Sequence, residues 1–88
     1  MRSMGLSKRS FLLNNLETYL SLVGDEVERA TELYGPFNSP HEGYGIILEE
    51  LDEAWDEIKN NHTAKAREEM VQVAAMAVRF LMDSEEWR

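Results

Sequence analysis

Apolar positions along the chain recur at steps of three and four in three separate runs, the spacing of one face of an α-helix. In the first run, Leu13, Leu16, Leu20, Val23, Val27, Ala30 and Tyr34 form a heptad-like seam. The run predicts one helix over about residues 8–34. Glu17, Glu26, Glu28 and Glu32 mostly point away from the seam. Gly24 lies inside it, where glycine costs about 1 kcal/mol relative to Ala. The period continues beyond Gly24, so it is read as a kink or a close crossing within one helix.

Gly35-Pro36-Phe37-Asn38 stops this helix, and Ser39-Pro40-His41-Glu42 starts another. Ser39 is a good N-cap, Pro40 suits the first helical position, and Glu42 completes a capping box. The second helix is predicted over about 40–59, with a core face of Tyr44, Ile47, Leu48, Leu51, Ala54, Trp55 and Ile58. Asn60-Asn61-His62 ends it. Thr63 is expected to cap a third helix over about 63–84. Between Met70 and Met82 only Gln72 and Arg79 are polar. A helix apolar all round is buried all round. Two neighbours cannot enclose it, so it is expected at a subunit interface, where Ala74, Ala75 and Ala77 permit close approach.

The fold class is therefore all-α: a three-helix protomer in one domain, residues 1–88, assembling into a four-helix-bundle-type core. Composition sharpens this. A chain of 88 residues buries only about 60% of its unfolded surface, yet 43% of its residues are hydrophobic and none is Cys. Association with other copies is the expected route to more buried area, as a homodimer or homotetramer. The formal charge of −8 argues against a nucleic-acid surface, which needs clustered Lys and Arg. Phosphates can still bind if a divalent cation bridges the two negative partners. Met1-Arg2-Ser3-Met4 lacks the pattern of a signal peptide, and no stretch is apolar for long enough to span a bilayer. A cytoplasmic location without membrane partners is expected.

The candidate chemistry lies in Glu49-Glu50-Leu51-Asp52-Glu53, followed by Asp56 and Glu57. At about 100° per residue, Glu50, Glu53 and Glu57 fall within about 60° of one another, at one edge of the core face. Carboxylates three and four apart are neighbours and repel. A divalent cation reverses the sign, and Mg²⁺ prefers such hard oxygen ligands. An antiparallel hairpin would bring Glu69 toward Glu53 and Glu57. Glu49, Asp52 and Asp56 point outward, as solvated acids do.

Glu49-Glu50-x-x-Glu53, fifteen intervening residues (54 to 68) and then Glu69 resemble the pattern of the all-α NTP pyrophosphatase superfamily. That group includes MazG, the dimeric dUTPases and phosphoribosyl-ATP pyrophosphohydrolase. GYGIILEELDEAWDEIK and EEMVQVAAMAVRFLMD are similar to small MazG-like proteins, including phage-type ones. The resemblance covers about Pro40 to Asp83. It implies hydrolysis of a nucleoside triphosphate between its α- and β-phosphates, giving a nucleoside monophosphate and pyrophosphate, with Mg²⁺ (or Mn²⁺ in its stead) as cofactor. Carried over by position, Glu50, Glu53 and Glu69 are metal ligands, and Glu49 is an outer ligand or the base. The catalytic set is Glu49, Glu50 and Glu53. The family's final Asp falls on Gln72, whose amide oxygen can bind Mg²⁺ but brings no charge. Asp56, Glu57 or Glu68 would compensate. Otherwise the chain is a degenerate or purely binding homologue.

The remaining candidates have plainer readings beside the functional ones. Trp55, Tyr44 and Phe37 suit core packing; Trp55 could instead wall a substrate base. Lys59 is either a helix-end cation or a phosphate contact. Arg79, in an apolar helix, needs a partner: an intersubunit ion pair or the substrate. His41 and His62 sit near helix ends as caps or surface groups, and neither belongs to a Glu-x-x-His pair. Lys65 and Arg67 are solvated. A non-catalytic oligomerisation or adaptor module explains the seam and the apolar third helix equally well. It leaves the glutamates at the core edge without a purpose.

Overall fold

The computed structural model describes residues 8–87, without the side chains at 10 and 11. Met1-Arg2-Ser3-Met4 lies outside the described residues. Three helices form, α1 (Lys8–Tyr34), α2 (Pro40–Lys59) and α3 (Thr63–Asp83), followed by a 3₁₀ turn at Ser84–Glu86. There is no strand among the described residues. No described helix is long and apolar enough to cross a membrane.

α3 is the common element, packed against both α2 and α1. The core is small: Val27 and Ala30 from α1, Phe37 from the connecting loop, and Ala75 and Met76 from α3, flanked by Val23, Ile46, Ile47, Phe80 and Trp87. α1 spans about 40 Å at 1.5 Å per residue, longer than either partner. The chain is elongated in consequence. Its radius of gyration is 15.9 Å, against about 12 Å for a compact chain of this length.

The local signals at the first turn act as expected, with one change. Gly35 ends α1 in the left-handed region at φ 71°, where glycine carries no Cβ penalty. The Ser39 hydroxyl accepts from the Glu42 N–H at 3.1 Å. The Glu42 carboxylate reaches past Ser39, accepting from the Asn38 N–H at 2.7 Å. At the second turn His62, not Thr63, holds the N-cap position, and its side chain caps nothing. The His62 ring faces Glu57, with Nδ1 2.8 Å from Oε1.

The loop 35–38 is fastened to the end of α3. The Arg79 guanidinium donates to the Gly35 carbonyl and lies over the Phe37 ring, 4.5 Å from its centroid. The Asp83 carboxylate accepts from the Phe37 N–H at 2.8 Å. Trp87 donates its indole N–H to the Phe37 carbonyl at 3.1 Å and meets Phe80 edge-on, with centroids 4.9 Å apart. The Gly35 and Phe37 carbonyls and the Phe37 and Asn38 N–H groups are thus met by side chains.

Much of the expected core is bare in one chain. Of the α1 seam, Val23, Val27 and Ala30 are covered, whereas Leu13, Leu16, Leu20 and Tyr34 are exposed. α3 reaches only the later turns of α1. On α2, Ala54 is buried and Ile47 half-buried, but Tyr44, Leu48, Leu51, Trp55 and Ile58 are exposed. Met70, Ala77, Val78, Leu81 and Met82 of α3 are exposed as well. Arg79 needs no second subunit: it is only 3% exposed, and its partners lie within the chain.

Gly24 marks no close crossing, since a Cβ there would meet nothing within 4 Å. Gly43 does. A Cβ on it would lie 2.6 Å from Phe80 Cδ2 and 3.2 Å from Phe37 Cδ2. Its bare Cα lets α2 approach α3 over the Phe80 ring. Gly43→Ala should lower stability by about 1–2 kcal/mol, because overpacking at about 1–3 kcal/mol outweighs a helix-propensity gain of about 1. Gly45→Ala, with open space around it, should raise stability by about 0.5–1 kcal/mol. Urea unfolding of the two variants checks the contrast.

Candidate functional site

The antiparallel α2–α3 hairpin sets the register that builds the site. Gly43 meets Phe80 at one end, so the later turns of α2 lie beside the opening turns of α3. Glu50 and Glu53, one turn apart on α2, thereby face Glu69 on α3. One carboxylate oxygen from each lies within 4.8 Å of the others. Glu50 and Glu69 are half-buried and Glu53 is exposed. Glu69 Oε2 is buried without a hydrogen-bond partner, an arrangement that costs about 1–3 kcal/mol when nothing enters to meet the oxygen.

The electrostatics follow from that crowding. Burial, a hydrogen bond to Glu53 that only the protonated form of Glu69 can donate, and repulsion from Glu53, Glu50 and Glu57 push the Glu69 carboxyl up to about 7. Burial also raises Glu50, followed by repulsion from Glu53, Glu26 and Glu49; Arg29 opposes the rise. Glu26 moves the other way, held low chiefly by its hydrogen bond from Arg29, with help from Gln72. The Glu26–Arg29 pair is bidentate, at 2.9 and 2.6 Å.

The three carboxylates open into a cavity of about 540 Å³ between the helices. Glu26, Arg29 and Ala30 of α1 form one wall, and Glu42, Ile46 and Glu49 of α2 another. Gln72, Met76 and Arg79 continue from Glu69 along α3, and the loop 35–38 closes the far end. The donor set is three hard oxygens, one of them buried and unmet. It fits a small divalent cation such as Mg²⁺ or Mn²⁺.

Each residue singled out from the sequence now has a position. Glu50, Glu53 and Glu69 meet, with Glu49 exposed at the cavity rim. Gln72 lines the same cavity, and its side chain is near enough to Glu26 to help hold that carboxyl low. Arg79 is also in the wall. Trp55 and Lys59 are not: they are exposed and bound to each other, with Lys59 Nζ 5.7 Å from the Trp55 ring centroid. Lys59 also pairs with Asp56 at 3.3 Å. Two residues beyond Glu53, Trp55 is turned about 200° around the helix, away from the cavity. Glu57 is taken by His62, and Asp56 and Glu68 do not line the cavity. The sequence reading missed Glu26 and Arg29. Their spacing of three, flanking Val27 and Ala30, was the available signal, since it puts a charged pair beside the buried stripe.

The raised Glu69 carboxyl makes stability depend on pH in a definite direction. Its folded pKa exceeds the unfolded value, so the folded state holds the extra proton. That contribution is complete below the unfolded carboxylate range and disappears as pH rises through about 7. In a chelating buffer the melting temperature should be higher at pH 5 than at pH 8. Glu69→Gln should flatten the difference. A melting temperature that rises from pH 5 to 8, or a slope unchanged in the variant, would refute this origin.

No family model matches the chain, and no curated protein or solved structure matches it either.

Proposed function

We propose that the chain is a divalent-cation-dependent nucleoside triphosphate pyrophosphohydrolase. The observation that carries this reading is the meeting of Glu50, Glu53 and Glu69, with one buried oxygen left without a partner. Helices do not converge three carboxylates at a core edge for stability, because like charges so close oppose folding. These are also the positions where the sequence resembles the glutamate pattern of the all-α NTP pyrophosphatases.

Glu50, Glu53 and Glu69 would hold Mg²⁺, or Mn²⁺ in its place, with Gln72 beside them as a neutral oxygen donor. The ion's contribution when bound is to neutralise phosphate oxygens and lower the pKa of an attacking water. Glu49, at the rim, is close enough to Glu50 to raise its pKa and is the candidate to accept that water's proton. Water adds across the anhydride between the α- and β-phosphates. One P–O bond breaks, and a nucleoside monophosphate and pyrophosphate leave. The substrate is accordingly a nucleoside triphosphate, with Arg79 its contact in the cavity wall.

The reading includes self-association as a homodimer or homotetramer with a four-helix-bundle core, in which a neighbouring protomer completes the pocket. The support is the uncovered apolar face of α1 at Leu13, Leu16 and Leu20, and that of α2 at Leu48, Leu51 and Trp55. The same faces favour a second reading, a non-catalytic oligomerisation or adaptor module.

A nucleotide panel with and without Mg²⁺, scored by pyrophosphate release, separates the two. Hydrolysis predicts metal-dependent release from at least one triphosphate. Glu50→Gln and Glu53→Gln should each cut it by about 100-fold or more, with unchanged helicity. Absence of release from every nucleotide, or full activity in both variants, would leave the adaptor reading standing. Sedimentation should give a mass above that of one chain.

A further inference from the structure

We infer that Arg79 is an anion-binding group: it takes the phosphate oxygens of a polyphosphate tail at the end of the cavity away from the carboxylate triad. Arg79 is only 3% exposed. A guanidinium keeps its charge in proteins, and a buried charge is costly unless paired. Yet among the described residues no carboxylate lies within ion-pair distance of Arg79. Its partners are all neutral: the Gly35 carbonyl, the Met76 sulfur at 3.5 Å and the Phe37 ring.

Two carboxylates at the same end of the bundle are turned to other work. Glu42 accepts from the Asn38 N–H and Asp83 from the Phe37 N–H. The guanidinium is therefore aligned by neutral groups alone, and it lines the cavity. Glu69, Gln72, Met76 and Arg79 follow one another along one face of α3. Glu69 and Arg79 are about 15 Å apart along its axis, and both side chains reach into the space between. One end of the cavity thus suits a cation and the other an anion.

A planar fork of N–H groups donates to two oxygens of one phosphate more strongly than to a single neutral carbonyl. The choice of a polyphosphate as occupant rests on the hydrolase reading above. The anion preference rests on Arg79 alone, and its test needs no turnover.

The probe is inorganic pyrophosphate, titrated calorimetrically into the full chain in a chelating buffer. Wild-type protein should bind it. Arg79→Met should weaken binding by about 10- to 100-fold, the loss expected for a charge-assisted hydrogen bond. Glu50→Gln should bind as well as wild type or better, because it removes a negative charge from the same cavity. Nucleoside tri-, di- and monophosphates should fall in affinity in that order, and Arg79→Met should level the series. Should Arg79→Met fail to fold, the ¹⁵Nε resonance of Arg79 in the wild-type chain decides. A shift on adding pyrophosphate supports the assignment and an unmoved resonance overturns it. Failure of wild type to bind pyrophosphate overturns it too, as does an equal loss of affinity for an unphosphorylated nucleoside, which would put Arg79 on the base. Pyrophosphate binding without any nucleotide turnover would sink the hydrolase and keep the anion site. Turnover with metal-free pyrophosphate binding absent would do the reverse.

Discussion

The contact on which the rest of the structure depends is the seating of the loop 35–38 against the end of α3. Arg79 holds the Gly35 carbonyl, Asp83 the Phe37 amide and Trp87 the Phe37 carbonyl. That loop is where α1 hands over to α2. Fixing it sets the angle at which α1 leaves the bundle, and it sets the register of α2 on α3. The register puts Gly43 over Phe80 and, about three turns further on, Glu53 opposite Glu69. A single loop conformation thereby governs both the core and the place where the carboxylates meet. The hydrophobic contribution is modest by comparison, since few large side chains are fully covered within one chain.

Two charge patterns divide the interior. Around Glu69, negative groups crowd together. Around Arg79, a positive group is buried among neutral partners. Arg29 and Glu26 between them satisfy each other and leave little net field. A protein selected only for stability would exchange such groups for hydrocarbon, because buried charges rarely outperform well-packed apolar side chains. Both groups line one cavity, and the proposed ligand, a polyphosphate with its cation, would bring a charge opposite to each.

The helices were legible in the sequence because each is bounded by strong local chemistry: the left-handed Gly35, the Ser39-Pro40 start and the turn at Asn60-Asn61. The convergence of Glu50, Glu53 and Glu69 was legible too, since helical spacing and an antiparallel hairpin leave the three side chains little freedom. What the pattern could not tell was which apolar residues a single chain covers. Leu13, Leu16, Leu20, Trp55 and Ile58 read as core by period, and period reports an apolar face without saying who packs on it. The part played by α1 in the cavity was likewise hidden. Glu26 and Arg29 look like an ordinary surface pair until the crossing of α1 over α3 is known. Arg79 demanded a partner on sequence grounds, but a backbone carbonyl leaves no mark in a sequence.

The overhang of α1 has a consequence for the chain's internal dynamics. Its later turns are anchored through Val27 and Ala30, whereas no described residue before Val23 belongs to the core cluster, and Asn14, Thr18 and Ser21 are among the poor helix formers there. A helical stretch of that length is marginal in water. Opening should start at the free end and die out near the anchored turns, so that amide hydrogen exchange grades from fast near Lys8 to slow near Ala30. The arm would be ordered in proportion to whatever shelters its leucines.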